Sequence, residues 1–145
     1  MSTIHLVRHG QKLSTPGDPG LTELGRQQAR ETGAFLNQFP ITAILTSPFA
    51  RTTETADAVA AVLGMTHTIH PALEERMNWN EGTDWTDFLV EWHKATADRD
   101  YTPKYGASSR ATGERIRELI RQVGSEDQHL VLISHGGAIV DLLRT

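Results

Sequence analysis

At 145 residues the chain is long enough to bury a core without disulfide staples, and it suits one domain spanning 1–145. It has no cysteine, which excludes disulfides and thiolate metal sites, and its net charge of −4 argues against nucleic acid or an anionic membrane, both of which need a basic footprint. No apolar run approaches the roughly 20 residues of a spanning helix and no basic-then-apolar leader opens the chain, so the expectation is a cytoplasmic protein.

Thr3 to Val7 reads as a short strand, ended at once by Arg8-His9-Gly10. Its lack of strict alternation fits a strand covered on both faces. Gln11 to Gly20 is a loop punctuated by Pro16-Gly17-Asp18-Pro19-Gly20. Thr22 predicts an N-cap, with Glu23 in a first turn that favours acid, for a helix reaching about Asn37; Pro40 forbids its continuation. Ala43 to Thr46 is a second strand, closed by Ser47-Pro48. A helix follows from about Ala50 to Leu63, with Gly64 as its stop. Thr66 to Ile69 predicts a third strand. The order β-α-β-α-β points to a parallel sheet with crossover helices.

Pro71 to Gly82 reads as irregular and carries Glu74, Glu75 and Arg76. Asp84 to about Ala97 predicts a helix with Trp85, Phe88, Leu89 and Trp92 on one stripe. Asp98 to Ser109 reads as a loop. Thr112 is the expected cap of a helix that buries Ile116, Leu119, Ile120 and Val123, with Gly124 as stop. His129 to Ile133 is the fourth strand; Ser134-His135-Gly136-Gly137 follows, then a helical start from Ala138 to Leu143. The chain stops inside that apolar pattern, so a cut-short C-terminus is an expectation.

In wound parallel sheets, ligands sit beyond the carboxyl ends of the strands. Three predicted strands end in polar residues: Arg8-His9-Gly10, Thr46-Ser47-Pro48 and Ser134-His135-Gly136. If the strands run parallel, His9 and His135 face each other across one crevice. Arg8 adjoins His9, and Arg51 lies in the first turn after the second strand, able to point back. Gly136-Gly137 lets a backbone N–H approach an anion at a helix start. Two arginines, two histidines and nearby amides suit a phosphoryl group, whose charge of about −1.5 to −2 needs cationic, forked donors. His9 reads as a nucleophile, with a backbone acceptor on Nδ1 aiming Nε2 at phosphorus and neighbouring guanidinium charge keeping the ring neutral. The leaving oxygen needs a proton, for which Glu74 or Glu75 is in the right kind of segment. Trp79, Trp85 and Trp92 read as core and cleft wall. His5, His67, His70, His93 and His129 read as structural or surface residues. No His-Glu-x-x-His, Walker A or dinucleotide fingerprint is present.

Five blocks occur in order: Arg8-His9-Gly10, Leu21-Thr22-x-x-Gly25, Ser47-Pro48-x-x-Arg51 with Thr55-Ala56, Leu73-Glu74-Glu75-Arg76, and Ser134-His135-Gly136-Gly137. Together they resemble the histidine phosphatase superfamily, and within it the phosphoglycerate mutase-like branch. The resemblance implies an α/β fold, a three-layer α/β/α sandwich with a mostly parallel central sheet. Members usually continue past the last helix to another strand, so this chain is expected to lack its C-terminal strand. By the same resemblance His9 is the phosphorylated histidine, Glu75 the proton donor, and His135, Arg8, Arg51 and the Gly136 amide complete the phosphate pocket. Gln11 matches a position near the phosphate. Many mutases carry Glu-Ser and then an Asn after the first Gly. This chain has Gln11-Lys12-Leu13-Ser14-Thr15 instead, so Ser14 or Thr15 takes the Asn's place. True mutases are much longer, which favours a metal-independent, cofactor-free phosphatase of a phosphorylated small molecule. A phosphoprotein (phosphohistidine) phosphatase, a mutase and an inactive phosphate-binding domain are the alternatives.

Overall fold

The computed structural model describes residues 1–125 and 127–145. Among these, four strands build one sheet: β1 (Thr3–Arg8), β2 (Ala43–Thr46), β3 (Thr68–Ile69) and β4 (His129–Ser134). Their order is β1-β4-β2-β3 and every pairing is parallel. The register sets Arg8 beside Ser134, and Thr46 beside Ile133, so the carboxyl ends of β1, β4 and β2 lie nearly level.

The helices are α1 (Glu23–Leu36), α2 (Ala50–Leu63), α3 (Trp85–Ala97), α4 (Ser109–Val123) and α5 (Gly136–Leu143), with a 3-10 turn over Pro71–Leu73. Alternate residues of the central strands point to opposite faces. Val7, Ile44, Val131 and Ile133 meet Leu36 of α1 and Ala56, Val59 and Ala60 of α2. Leu45, Leu130 and Leu132 meet Leu73, Ile116 and Leu119 of α4, and Ala138 of α5. The fold is therefore α/β with helices on both faces of a parallel sheet. Covering on both sides is why β4 is apolar at every position from Leu130 to Ile133 instead of alternating.

Several boundaries follow local chemistry as expected. Thr22 caps α1 by accepting from the Gly25 amide at 3.0 Å, and Gly64 closes α2 in the left-handed region at φ 65°. Others differ. The cap of α4 is Ser108, whose hydroxyl accepts from Ala111 N at 3.1 Å. Thr112 is buried inside the first turn, where its hydroxyl donates to the Ser108 carbonyl at 2.9 Å. The helix starts earlier because Ser109 is needed in it: its hydroxyl donates to the buried Asp141 at 2.6 Å. β3 shrinks to two exposed residues at the sheet margin. α5 starts at Gly136, not at Ala138, with His135 as its N-cap between it and β4. The segment after β3, expected to be irregular, opens with the 3-10 turn, and His70 Nδ1 accepts from Ala72 N at 3.1 Å to cap it.

One ionic knot ties the second face together. Arg76, 4% exposed, reaches Asp141, 0% exposed, at 3.2 Å, and donates to Thr96 of α3 at 2.6 Å. Removing one partner of such a pair leaves a buried, uncompensated charge. Asp141→Ala is expected to cost about 3–5 kcal/mol in urea unfolding, and the apolar double change Arg76→Met with Asp141→Leu is expected to cost less.

Candidate active site

The cleft is built where the strand ends come level. The His9 amide donates to the Ser134 carbonyl at 3.1 Å, and the Ser47 amide to the Ile133 carbonyl at 3.0 Å. These bonds continue the sheet ladder one step beyond the strands and fix both turns. Gly10 has no room for a side chain, since a Cβ there would collide with the Gly25 carbonyl at the start of α1. Its amide donates to Thr55 Oγ1 at 3.1 Å, and that hydroxyl donates to the Arg51 carbonyl at 2.7 Å. The β1 turn is thus held by α1 and α2 at once.

His9 Nδ1 lies 2.6 Å from the Gly10 carbonyl. A carbonyl only accepts, so Nδ1 carries the hydrogen and Nε2 keeps its lone pair in the neutral ring. The His9 and His135 ring centroids are 5.3 Å apart, edge to face at 68°. His135 Nε2 shares a 2.8 Å hydrogen bond with the buried Ser47 hydroxyl, while its Nδ1 is buried without a protein partner. Arg51, 4% exposed, donates from Nη2 to Asn78 Oδ1 at 3.1 Å. Its Nε and Nη1 are buried without protein acceptors, and its guanidinium sits 4.6 Å from the Phe49 ring centroid. The Arg8 guanidinium packs against Gly136.

Electrostatics keep both imidazoles neutral at pH 7. Burial pulls His9 down to about 4, helped by the charges of Arg51, Arg8 and Lys12 and opposed by the bond to Gly10. Neighbouring guanidinium charge is therefore the secondary cause and desolvation the main one. His135 falls to about 2, first by burial and then by Arg51, His9, Arg115 and Arg8. Burial likewise lowers Arg51, while Glu75 and Asp18 hold its proton.

Glu75 enters from the irregular segment, yet its backbone is tied down. The Ser134 hydroxyl donates to the Leu73 carbonyl at 2.6 Å, and Arg115 donates to the Glu74 carbonyl at 2.7 Å. The Glu75 carboxyl accepts from Arg76 N at 2.9 Å and from Gly137 N at 3.0 Å. Of the Gly136-Gly137 pair, the second amide therefore serves Glu75 and not an incoming anion. A Cβ on Gly137 would strike both the Glu75 carboxyl and the edge of Trp92. Burial raises the Glu75 carboxyl above its ordinary range; the two amides and the Arg76 charge oppose this, and Asp141 reinforces it.

A cleft of about 720 Å³ is lined by His9, Arg8, Arg51, Glu75, His135, Gly136, Gln11, Ser14 and Thr15, so the residues singled out from sequence come together. Glu74 does not line it. Gln11 is exposed, and its Oε1 accepts from the Thr22 hydroxyl at 2.8 Å, so α1 holds its side chain. Ser14 and Thr15 are exposed at the rim. Sequence reasoning missed three contributors: Ser47 as the partner of His135, Asn78 as the partner of Arg51, and Lys12 in the lining. Only the position of Ser47 within the Ser-Pro-x-x-Arg block offered a signal. Among the described residues no cluster of three or more His, Asp or Glu could hold a metal ion.

The sequence model of the histidine phosphatase superfamily (branch 1) matches residues 4–145. A probable phosphoglycerate mutase GpmB of Erwinia tasmaniensis is 29% identical over 160 residues, covering 100% of this chain and 74% of that protein. The protein of the same name from Yersinia pestis is 33% identical over 163 residues with the same coverage. Among solved structures, a mycobacterial glucosyl-3-phosphoglycerate phosphatase in complex with inorganic phosphate superposes with a TM-score of 0.78 at 28% identity, covering 95% of this chain and 75% of that one. A phosphoserine phosphatase mutant from Entamoeba histolytica, 22% identical, shares the fold with a TM-score of 0.73, covering 99% of this chain and 78% of that one.

His9 binds its proton more weakly folded than unfolded, so its contribution to stability is full above pH 6.5 and is lost as pH falls toward about 4. Thermal unfolding is expected to show a steeper fall in midpoint over that window for the natural chain than for His9→Asn. Equal slopes would contradict a partly buried His9 that is neutral in the folded chain.

Proposed function

The chain belongs to the histidine phosphatase superfamily, branch 1, and on that premise we propose that it hydrolyses phosphate monoesters through a phosphohistidine on His9. The pairing of a neutral His9, its Nδ1 tied to the Gly10 carbonyl, with a half-buried Glu75 whose affinity for a proton is raised by desolvation, in one cleft, carries this reading.

Nε2 of His9 attacks phosphorus in line, and the bond from phosphorus to the leaving oxygen breaks as the new P–N bond forms. Glu75 gives its proton to that oxygen. Burial already favours the protonated acid, and an arriving phosphate dianion raises it further. Arg8, Arg51 and His135 hold the equatorial oxygens, where transition-state charge gathers. Arg51 is suited to this because Asn78 fixes one end of its guanidinium and leaves the other nitrogens without protein acceptors. The Ser47 hydroxyl holds one nitrogen of His135 and leaves the other for an oxygen of the substrate. In the second step water attacks the phosphohistidine, Glu75 takes the water's proton, and inorganic phosphate leaves with His9 restored. The cations and imidazoles meet the phosphoryl charge, so neither step calls on a metal or a cofactor.

A phosphorylated small molecule is the substrate we assign, in keeping with a cleft of about 720 Å³ and with the mycobacterial phosphatase of similar structure. The relatives named probable phosphoglycerate mutase favour a second reading, in which the phosphoryl group passes from His9 to another hydroxyl and not to water.

With p-nitrophenyl phosphate and a chelator present, the chain is expected to turn over and to accumulate an acid-labile phosphoenzyme, both abolished by His9→Ala. Glu75→Gln is expected to lower kcat for an alkyl phosphate roughly 10²–10⁴-fold, and less for an aryl one whose oxygen leaves without help. The kcat/KM of the natural chain should fall on the acid side as His9 gains its proton near pH 4. Interconversion of phosphoglycerates that depends on a bisphosphate primer would establish the mutase reading instead. Tight phosphate binding with no transfer to water or hydroxyl would defeat both.

A further inference from the structure

The alcohol side of the cleft differs from its phosphate side. α3 lays Trp85, Phe88, Leu89 and Trp92 along it, and Trp79 completes the wall. The rings form a run. Trp79 and Trp85 have centroids 4.8 Å apart, Trp85 and Phe88 are stacked at 5.5 Å, and Phe88 and Trp92 lie at 6.0 Å. The indole N–H of Trp79 is already spent on the Thr83 carbonyl at 2.8 Å, so the ring offers apolar surface. Trp92 is pinned by the Arg76 guanidinium, 4.0 Å from its ring centroid, and its edge borders the Glu75 carboxyl across Gly137. Trp85 is 47% exposed at the mouth, a large aromatic that the core does not claim.

The acid and the wall are thus adjacent. Any leaving oxygen that meets Glu75 carries its substituent along Trp92 toward Trp85. Charge points the same way. The lining cations are Arg8, Arg51 and Lys12, and all three act on His9, at the phosphate end. Asn78, the polar residue beside the wall, has its amide nitrogen committed to the Gly17 carbonyl at 2.8 Å and to Asn80 Oδ1 at 2.7 Å, and its oxygen to Arg51. A carboxylate on the substrate's alcohol part would find no lining cation there, since Arg76 is buried behind Trp92 and committed to Asp141 and Thr96, and would lie near the Glu75 carboxyl.

Resting on the phosphatase reading above, we infer that this cleft selects phosphate monoesters whose alcohol carries an uncharged, flat-faced ring, in preference to short carboxylated esters such as phosphoglycerate. Aromatic faces stack on flat rings and gain from the apolar area they remove from water, while an unpaired buried charge is penalised.

The test compares 2-phenylethyl phosphate with propyl phosphate and 3-phosphoglycerate. The first two release alcohols of similar acidity, so intrinsic reactivity cancels. The phenyl ester is expected to exceed the propyl ester by roughly 10- to 100-fold in kcat/KM, and 3-phosphoglycerate is expected to be the poorest. Trp85→Ala should collapse the phenyl-to-propyl ratio about fivefold or more. Turnover of all three with a ratio within about twofold, or a preference for 3-phosphoglycerate, overturns the inference and leaves the phosphatase reading standing. Calorimetry with 2-phenylethylphosphonate and propylphosphonate needs no turnover. If no ester is hydrolysed the phosphatase reading falls, while tighter binding of the phenyl phosphonate still supports ring selection and equal binding overturns it.

Discussion

The parallel pairing of β1 with β4 is the constraint on which the rest depends. Six residues of each strand run in register, from Thr3 against His129 to Arg8 against Ser134. Level strand ends put His9 and His135 side by side, with ring centroids 5.3 Å apart. Two imidazoles packed beside the buried Arg51 guanidinium cannot all be charged without a large penalty. The two histidines give up their protons. Desolvation does most of that work, bringing His9 to about 4 and His135 to about 2. A slip of one residue in this ladder would turn every side chain of β1 to the wrong layer and separate the rings.

The acid of the cleft depends on a different set of bonds. Glu75 comes from a segment with little regular structure, so the ladder cannot place it. Three side chains do so instead: Ser134 through the Leu73 carbonyl, Arg115 through the Glu74 carbonyl, and Arg76 through Asp141. Ser134 belongs to β4, so the strand that positions His135 also positions the acid. Arg76 continues the chain of contacts to Trp92, and through it to the aromatic wall. Stability and site geometry therefore share atoms here.

Much of this was legible in the sequence where the signals are local. The limits of β2 and α2, the Thr22 cap and the Gly64 stop follow from propensity and capping chemistry within a few residues. Thr112 misled because it has the chemistry of a cap and stands before an apolar face. Ser108 has the same chemistry, and only the distant Asp141, which draws Ser109 into the first turn, decides between them. The exposed β3 is short because two bridge partners on β2 are all it finds. Ser47 read as a strand end, since nothing near it in sequence reveals a bond to a residue 88 positions away.

By itself the sequence determined the alternation of strands and helices, the parallel sheet, and the polar residues waiting at the strand ends, because periodicity and turn chemistry are properties of neighbouring residues. The tertiary structure alone decided that the Gly10 carbonyl is the acceptor for His9, that Ser47 and Asn78 hold His135 and Arg51, that the Gly137 amide serves the acid, and that the aromatic wall stands beside Glu75. Those outcomes rest on burial and on hydrogen bonds between distant segments, and a proton's position is settled only by the atoms that surround it once the chain has closed.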